Sequence, residues 1–327
     1  MAKTLVLHIG ANKTGSTAIQ EFLRLNAAPL SRVGLIVASA DLLPDSPVSG
    51  QQAPFVESLL ADISTGAKIV EERIDGLMQG LPKGGRAILS AENLSNPGNR
   101  SPQLFARTAQ SHDTRVVLYI RRPDEFLLSS WRQWYSKTSD DFWAWIISAA
   151  GRRCNWRTVL EGWEKVVPRD RITVRIYDRA RLHKSDVISD LLQVLGIVEE
   201  QHDFQRPEGN INPSYSEAVM DFVKGNPLLF HDMHDDHMYR VIDQLTGERF
   251  HRDPRESEIT FEQRVALLKK YDDANNWVKN HYFRVLEGPL FTPPRPDDYR
   301  TAEPEQVLAE KWELVGALLY GLAKRVL

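Results

Sequence analysis

The chain has 327 residues, of which 42% are hydrophobic and 26% charged, a balance typical of a globular protein that can bury a large core. The formal net charge of -3 excludes a bulk positive field for nucleic acid and leaves only local basic patches open, and the single cysteine, Cys154, excludes an internal disulfide. The apolar run at the N-terminus is too short for a signal peptide, and no stretch reaches the ~20 apolar residues of a membrane span. We therefore expect a cytoplasmic protein with no membrane span, and we interpret Cys154 as a structural or incidental thiol.

Five short segments have the continuous apolar composition of buried β-strands. The fourth has the strongest signal because it is both apolar and rich in β-branched residues. The five predicted strands are residues 3–9, 34–39, 86–92, 115–120 and 171–177.

Helical patterns alternate with these strands. Pro123 predicts the first turn of a helix after the fourth strand, and the helix after the fifth strand is expected to open on a Ser185 cap and close at Gly196. Alternating strands and helices predict an α/β fold with a parallel sheet flanked by helices. The helix after the first strand has this apolar stripe: Ile19, Phe22, Leu23 and Leu25.

Beyond residue 205 the pattern becomes mainly helical and more polar. Residues 261–278 and 305–327 have the periodicity of amphipathic helices, and residues 287–300 have the composition of a loop. We therefore expect one domain over the whole chain. Its two portions are an α/β nucleotide-binding core, 1–200, and a mainly helical C-terminal portion, 201–327.

The stretch HIGANKTGSTAIQEFL, residues 8–23, nearly matches the Walker A phosphate loop G-x-x-x-x-G-K-[ST]. Gly10, Gly15 and Thr17 are in register, but Ser16 stands at the lysine position and the lysine, Lys13, comes three residues earlier. The loop lies between a strand and a helix, where main-chain amides can hold an anion.

Main-chain amides and hydroxyls of residues 14–17 can surround one tetrahedral anion. The fourth predicted strand ends in Arg121 and Arg122, so it has no carboxylate to complete a Mg²⁺ site of the triphosphatase kind. The sequence therefore predicts that the loop of residues 10–17, which we call the anion loop, binds an anion with fixed cations in place of a metal ion.

This combination resembles the sulfotransferases that use 3'-phosphoadenosine 5'-phosphosulfate (PAPS). The 5'-phosphosulfate loop of that family reads K-[ST]-G-[ST]-[ST], and its 3'-phosphate element is a strand ending in Arg with Ser eight residues later. Arg121 and Ser129 have that spacing, and residues 172–197 are similar to a further strand and helix of the family. The residues that match the loop are Lys13, Thr14, Gly15, Ser16 and Thr17.

The resemblance implies a P-loop-like sulfotransferase fold, PAPS as co-substrate, 3'-phosphoadenosine 5'-phosphate (PAP) as product, and no metal. It implies that Lys13 stabilises charge on the oxygen between sulfur and phosphate, and that the amides of the loop hold the 5'-phosphate. Arg121 and Ser129 would hold the 3'-phosphate. The chain departs from the family at Asn12, where proline is frequent, and it lacks the late Arg-Lys-Gly segment, for which Arg206 is a possible substitute.

The acceptor hydroxyl must lose a proton during transfer. Glu92 follows the third predicted strand and is favoured as the general base, as in carbohydrate-directed relatives; its alternative role is to cap the next helix. His8 is the rival base, although it can equally be a packed strand histidine. A carbohydrate or glycoconjugate is therefore the favoured acceptor.

Two other clusters have weaker functional interpretations. His231, His234 and His237 alternate with aspartates in HDMHDDH, a pattern compatible with a metal site but more typical of a solvated helix face. Six of the eight tryptophans fall between residues 131 and 163, close to several arginines. These aromatic side chains are expected to form core, or else a surface for a sugar.

Two alternative functions differ from sulfuryl transfer. A Mg²⁺-dependent P-loop kinase would need a lysine at position 16 and a metal carboxylate. A non-catalytic nucleotide-binding module would keep the anion loop without a need for Lys13 and Glu92.

Overall fold

The computed structural model describes residues 3–98, 100–207, 214–226 and 228–326. These residues form two compact units. Unit 1 comprises the described residues of 3–122, 155–207 and 274–291, and unit 2 comprises those of 123–154, 214–273 and 292–326. No helix in these ranges combines the length and the hydropathy needed to span a bilayer.

Unit 1 is built on a five-stranded parallel sheet. The register pairs His8 with Ser90 on one side and with Val117 on the other, so the carboxyl ends of three central strands meet at one edge. Each of the five predicted strands is present. The strands are β1 Thr4–His8, β2 Leu35–Val37, β3 Arg86–Ser90, β4 Asp113–Ile120 and β5 Ile172–Ile176. Their order in the sheet is β2-β3-β1-β4-β5.

Fifteen α-helices occur in the described ranges, and short 3₁₀ helices connect several of them. The helices are α1 Ser16–Leu25, α2 Ala27–Arg32, α3 Ala53–Leu59, α4 Ile63–Gln79, α5 Ser101–Leu104, α6 Ala106–Ser111, α7 Pro123–Gln133, α8 Phe142–Ala150, α9 Trp156–Glu164, α10 Val187–Val194, α11 Glu217–Val223, α12 His237–Thr246, α13 Phe261–Lys269, α14 Asp272–Tyr282 and α15 Pro304–Val326.

One apolar core joins the sheet to α1 and α10. Ile19 and Phe22 of α1 are fully buried with Leu191 of α10, and they pack with the sheet residues Val6 and Ile88. Three residues of the predicted α1 stripe are buried, whereas Leu25 is half-buried at the end of the helix. This packing holds the first turn of α1 at the carboxyl edge of the sheet.

Two helix boundaries differ from the predicted ones. The N-cap of α10 is Asp186, whose carboxylate accepts a hydrogen bond from the Ser189 amide at 2.8 Å, so the predicted Ser185 cap is wrong by one residue. Ser185 has a φ of 56°, a left-handed conformation, and therefore stands in the turn before the helix. Aspartate is an equally good cap. Asp186 has the extended backbone of an N-cap and Ser185 does not, so the helix begins after Asp186.

The predicted helix 261–278 is also interrupted, because α13 ends at Lys269 and α14 begins at Asp272. Tyr271 between them is buried, and its hydroxyl donates to the Ala150 carbonyl at 3.0 Å. The two aspartates that open α14 favour a new helix N-terminus at this point, since negative charge stabilises the positive end of the helix dipole.

Unit 2 is mainly helical and has its own core, which includes Val219 of α11, Ile242 of α12 and Leu314 of α15. A buried ion pair joins Arg264 to Asp124, and the Arg264 guanidinium lies 3.7 Å from the Tyr299 ring centroid. Cys154 is buried in this unit, and burial raises the pKa of its thiol, which is consistent with the predicted structural or incidental thiol.

Candidate active site

The phosphate-loop motif forms the turn between β1 and α1. Lys13 and Gly15 both have a left-handed backbone, with φ of 61° and 78°, and Gly15 is the N-cap of the helix. No acidic residue occupies the first turn of α1 and no side chain caps it. The first amides of a helix have no partner within it, so this turn presents donors and a positive dipole to an anion.

Gly10 is required by the close approach of β3 to this loop. The register that pairs His8 with Ser90 brings Glu92 beside Gly10, and a Cβ atom added to Gly10 would lie 3.0 Å from the Glu92 Cα. Gly10 also has a φ of 92°. The glycine therefore serves the packing of two adjacent chain segments in addition to its place in the phosphate-loop pattern.

Glu92 and Ser16 are linked by a side-chain hydrogen bond. The Ser16 hydroxyl donates to the Glu92 Oε2 at 2.5 Å, and Glu92 is half-buried while Ser16 is 3% exposed. A carboxylate thus lies at the start of α1, in contact with a residue of the anion loop. The sequence places Glu92 just past a strand, but only the sheet register reveals this contact.

Arg121 lies on the other side of the loop, at the end of β4. Its guanidinium donates to the Lys13 carbonyl at 3.0 Å and lies 5.6 Å from the Tyr177 ring centroid. A Cβ atom on Gly15 would approach the same ring to 3.1 Å. Tyr177 therefore packs against both the loop and the arginine, a role that no sequence pattern indicated.

The hydroxyl groups of the loop differ in what they contact. The Thr14 hydroxyl is fully buried and donates to the Ala11 carbonyl at 2.6 Å, so it holds the shape of the loop. Thr17 is exposed on the first turn of α1. Ser129 is half-buried in α7 of unit 2, whereas the other seven predicted site residues belong to unit 1.

His8 is fully buried at the end of β1. Its Nδ1 lies 2.7 Å from the Ser90 hydroxyl, and Gln20 donates to the same hydroxyl at 3.4 Å. Burial lowers the pKa of His8 to about 4, so the ring is neutral at pH 7. Its Nε2 has no hydrogen-bond partner among the described residues. These features are those of a packed strand histidine.

The buried His8 should make stability depend on pH. Its pKa is lower in the folded protein than its ordinary value of 6.5, so the unfolded chain binds the proton first and stability falls as the pH drops from about 6.5 toward 4. His8→Gln should flatten this part of a plot of melting temperature against pH. The matched control is His234→Gln, at an exposed histidine, and an unchanged plot for His8→Gln would contradict the prediction.

Arg206 is engaged within unit 1. Its guanidinium contacts the Asp186 carboxylate at 2.6 Å and the Ser189 hydroxyl at 2.7 Å, and it also pairs with Glu199. These contacts fasten the chain to the start of α10. Arg206 already has these partners within unit 1, so it is less suited to replace the missing Arg-Lys-Gly segment as a phosphate ligand.

The histidine-rich segment does not form one helix face. His231 and His234 precede α12, which begins at His237. The Asp235 carboxylate accepts hydrogen bonds from the main-chain amides of His231 and His237, at 3.0 and 2.9 Å, and thereby shapes the turn. Across the described ranges, no group of three potential metal-ligating side chains occurs.

Unit 2 contains a cleft of about 460 Å³ with aromatic and carboxylate walls. Burial and the nearby Glu258 charge raise the pKa of Glu217 to about 7. Glu258 is itself buried, but Arg132 and Arg252 hold its pKa at about 2. The lining side chains are Trp131, Asp140, Asp141, Phe142, Trp143, Glu217, Met220, Lys224 and Glu258.

Comparison with known proteins identifies the family. Residues 3–273 match the model of the Sulfotransferase domain, and the chain therefore belongs to that family. Together with the parallel sheet and its flanking helices, this match confirms the predicted family and fold class. It also leaves the P-loop kinase without support.

Individual relatives are distant. An uncharacterized protein of Archaeoglobus fulgidus is 25% identical over 206 residues, which are 60% of this chain and 53% of the relative. The chain thus spans about half the length of that relative. The crystal structure of a sulfotransferase from Alicyclobacillus acidocaldarius aligns with a TM-score of 0.37 and 14% identity, over 65% of this chain and 88% of the other.

Proposed function

We propose that this protein transfers a sulfuryl group from PAPS to an acceptor hydroxyl. The observation that carries the proposal is the arrangement at the start of α1. The turn contains Lys13 and the first amides of the helix, and the Arg121 guanidinium donates to the Lys13 carbonyl. The Ser16 hydroxyl in the same turn donates a hydrogen bond to the Glu92 carboxylate. Membership in the sulfotransferase family supports the same class of reaction.

The donor fits the charges of the loop. The first-turn amides of α1 would hold the 5'-phosphate, because they are donors at the positive end of the helix dipole. Arg121 would pair with the dianionic 3'-phosphate, with Ser129 as a second donor. The Lys13 ammonium would stabilise the negative charge that develops on the phosphate oxygen as its bond to sulfur breaks.

Glu92 would act as the general base. As the acceptor oxygen forms its bond to sulfur, the hydroxyl proton passes to the carboxylate, and the electron pair of the breaking S–O bond stays on the departing phosphate. The hydrogen bond from Ser16 fixes the carboxylate beside the loop that holds this phosphate. Ser16 would therefore position the base and contribute an amide to the donor site at the same time.

A carbohydrate or glycoconjugate is the proposed acceptor. Support comes from the cleft of unit 2, where Trp131, Phe142 and Trp143 lie beside carboxylates. Trp143 is 46% exposed, so part of its indole is available to the apolar face of a sugar ring. Carboxylates beside aromatic side chains are well suited to accept hydrogen bonds from several hydroxyl groups.

We propose further that the reaction needs no metal ion and takes place in the cytoplasm. Sulfuryl carries less charge than phosphoryl, and Lys13, Arg121 and the helix amides would supply the cations and donors that Mg²⁺ supplies in triphosphatases. The remaining alternative is a nucleotide-binding module without turnover. A carboxylate bonded into the anion loop argues for turnover, since binding alone gives a negative group no purpose there.

Ligand-dependent melting tests the donor directly. PAP should raise the melting temperature more than ATP, with or without Mg²⁺, because only PAP has the 3'-phosphate; at 100 times its Kd a ligand adds about 2.7 kcal/mol of stability. Transfer from PAPS should continue in excess EDTA. Stabilisation by ATP only when Mg²⁺ is present, or a loss of transfer that only Mg²⁺ restores, would overturn the proposal.

Arg121→Ala should weaken PAP much more than adenosine 5'-phosphosulfate, which has no 3'-phosphate. Loss of a hydrogen bond to a charged group should cost roughly 1.5–3 kcal/mol, measurable by calorimetry as a rise in Kd. Arg115→Ala is the matched control, because Arg115 lies exposed on the same strand. Equal weakening of both ligands would show that Arg121 does not recognise the 3'-phosphate.

A further inference from the structure

The helix α15 carries two apolar stripes, of which only one is covered. Leu314 is fully buried in the core of unit 2, and Gly321 lies so close to Leu245 that an added Cβ atom would meet its side chain at 2.5 Å. This inner stripe packs α15 onto α11 and α12. A helix that packs on one side needs only one such stripe.

The outer stripe is exposed along most of its length. Trp312 is 68% exposed and Leu319 is 62% exposed, and Val315 between them is half-buried. The spacing alternates between four and three residues, which is the 3.5-residue repeat of a coiled-coil seam. The residues of the outer stripe are Leu308, Trp312, Val315, Leu319 and Leu322.

Small residues line one side of the outer stripe, each directly after one of its members in the sequence. Ala309, Gly316 and Ala323 are each seven residues apart and exposed. A Cβ atom added to Gly316 would meet nothing within 4 Å. Since the distance between packed helices depends on the side chains at their contact, these positions allow a second helix to approach the large apolar side chains closely.

We propose that α15 of one molecule packs antiparallel on α15 of a second copy, forming a homodimer. The charge along the helix selects this direction: residues 304–313 contain three Glu and one Lys, whereas residues 314–326 contain two basic residues and no acidic one. Antiparallel packing brings the acidic half of each helix beside the basic half of the other, and the two helix dipoles then oppose.

An antiparallel pair of identical helices has a two-fold axis, so each contact between the two copies occurs twice. With the axis close to Gly316, Trp312 of one copy faces Leu322 of the other, and Val315 faces Leu319. The helix is an unsuitable membrane anchor, because amphipathic helices that lie on membranes have a polar face rich in Lys and Arg, whereas the first half of α15 is acidic.

Sedimentation velocity of the full chain tests the dimer. The wild-type chain should sediment as a dimer at micromolar concentration, and Leu319→Lys should weaken association at least tenfold while PAP still raises the melting temperature. Val285→Lys is the matched control, since Val285 is 98% exposed outside α15. A monomeric wild type, or equal effects of the two variants, would overturn the proposal, as would binding of the wild type to phosphatidylserine vesicles through α15.

Single-cysteine crosslinking tests the direction of the helices. Gly316→Cys should form a disulfide-linked dimer on oxidation, and a mixture of Ala309→Cys and Ala323→Cys chains should crosslink to each other. The only native cysteine, Cys154, is buried and should not interfere. Efficient self-crosslinking of Ala309→Cys alone would indicate parallel helices and would overturn the antiparallel arrangement.

Discussion

Glu92→Gln is expected to lower the rate of sulfuryl transfer about 10²–10⁴-fold, while the affinity for PAP stays unchanged. Glutamine keeps the shape of the side chain and can still accept the hydrogen bond from Ser16, but it cannot accept the acceptor proton. The acidic limb of the pH–rate profile should therefore disappear with the carboxylate. Turnover, PAP binding and melting temperature are measured on the same preparation.

Glu57→Gln is the matched control for this variant. The exposed Glu57 carboxylate accepts a hydrogen bond at 3.0 Å from Asn93, the residue that follows Glu92 in the sequence. It should retain full activity. Near-normal turnover of Glu92→Gln with a lower melting temperature would mean that Glu92 has only a structural role at the loop, and the base would then be another group.

Lys13→Ala should lower kcat by a factor that corresponds to about 2.7–4 kcal/mol, with a much smaller effect on PAP affinity. The charge that Lys13 would stabilise develops mainly as the S–O bond breaks, so the loss appears in the rate. Alanine keeps a Cβ atom, and the cost of the left-handed backbone at φ of 61° is therefore similar in both proteins. Steady-state kinetics and PAP titration separate the two quantities.

Lys184→Ala is a suitable control, because Lys184 also has a left-handed backbone, with φ of 53°, and its ammonium group pairs with the exposed Glu200. It should leave kcat unchanged. If Lys13→Ala keeps a normal kcat and only raises KM, then Lys13 binds ground state and transition state equally and acts as a phosphate clamp.

Much of the fold could be predicted because its signals are local. The five strands are continuous apolar runs, and the helix after β1 shows its stripe within ten residues. The early lysine of the anion loop is likewise visible in the five consecutive letters KTGST. Arg121 is visible in the same way, because it directly follows the apolar run of β4. Patterns of this kind depend on neighbouring residues alone, so the sequence is sufficient to recognise them.

Helix boundaries were less predictable for a physical reason. Ser185 and Asp186 are both good caps, and the left-handed turn at Ser185 selects Asp186. The periodicity of residues 261–278 continues through the break at Tyr271, but the buried hydroxyl bond of Tyr271 to a distant carbonyl stops the helix there. Tertiary contacts of this strength override weak local preferences.

The class of the fold, the early lysine of the anion loop and the family are recognisable from residues that lie close together along the chain. Three features depend instead on how the strands pair: Glu92 contacts Ser16, Gly10 must be small to admit Glu92, and His8 is buried in the core. These facts join residues about 80 positions apart in sequence and depend on which strands pair and in what register, a choice made by packing of the whole sheet.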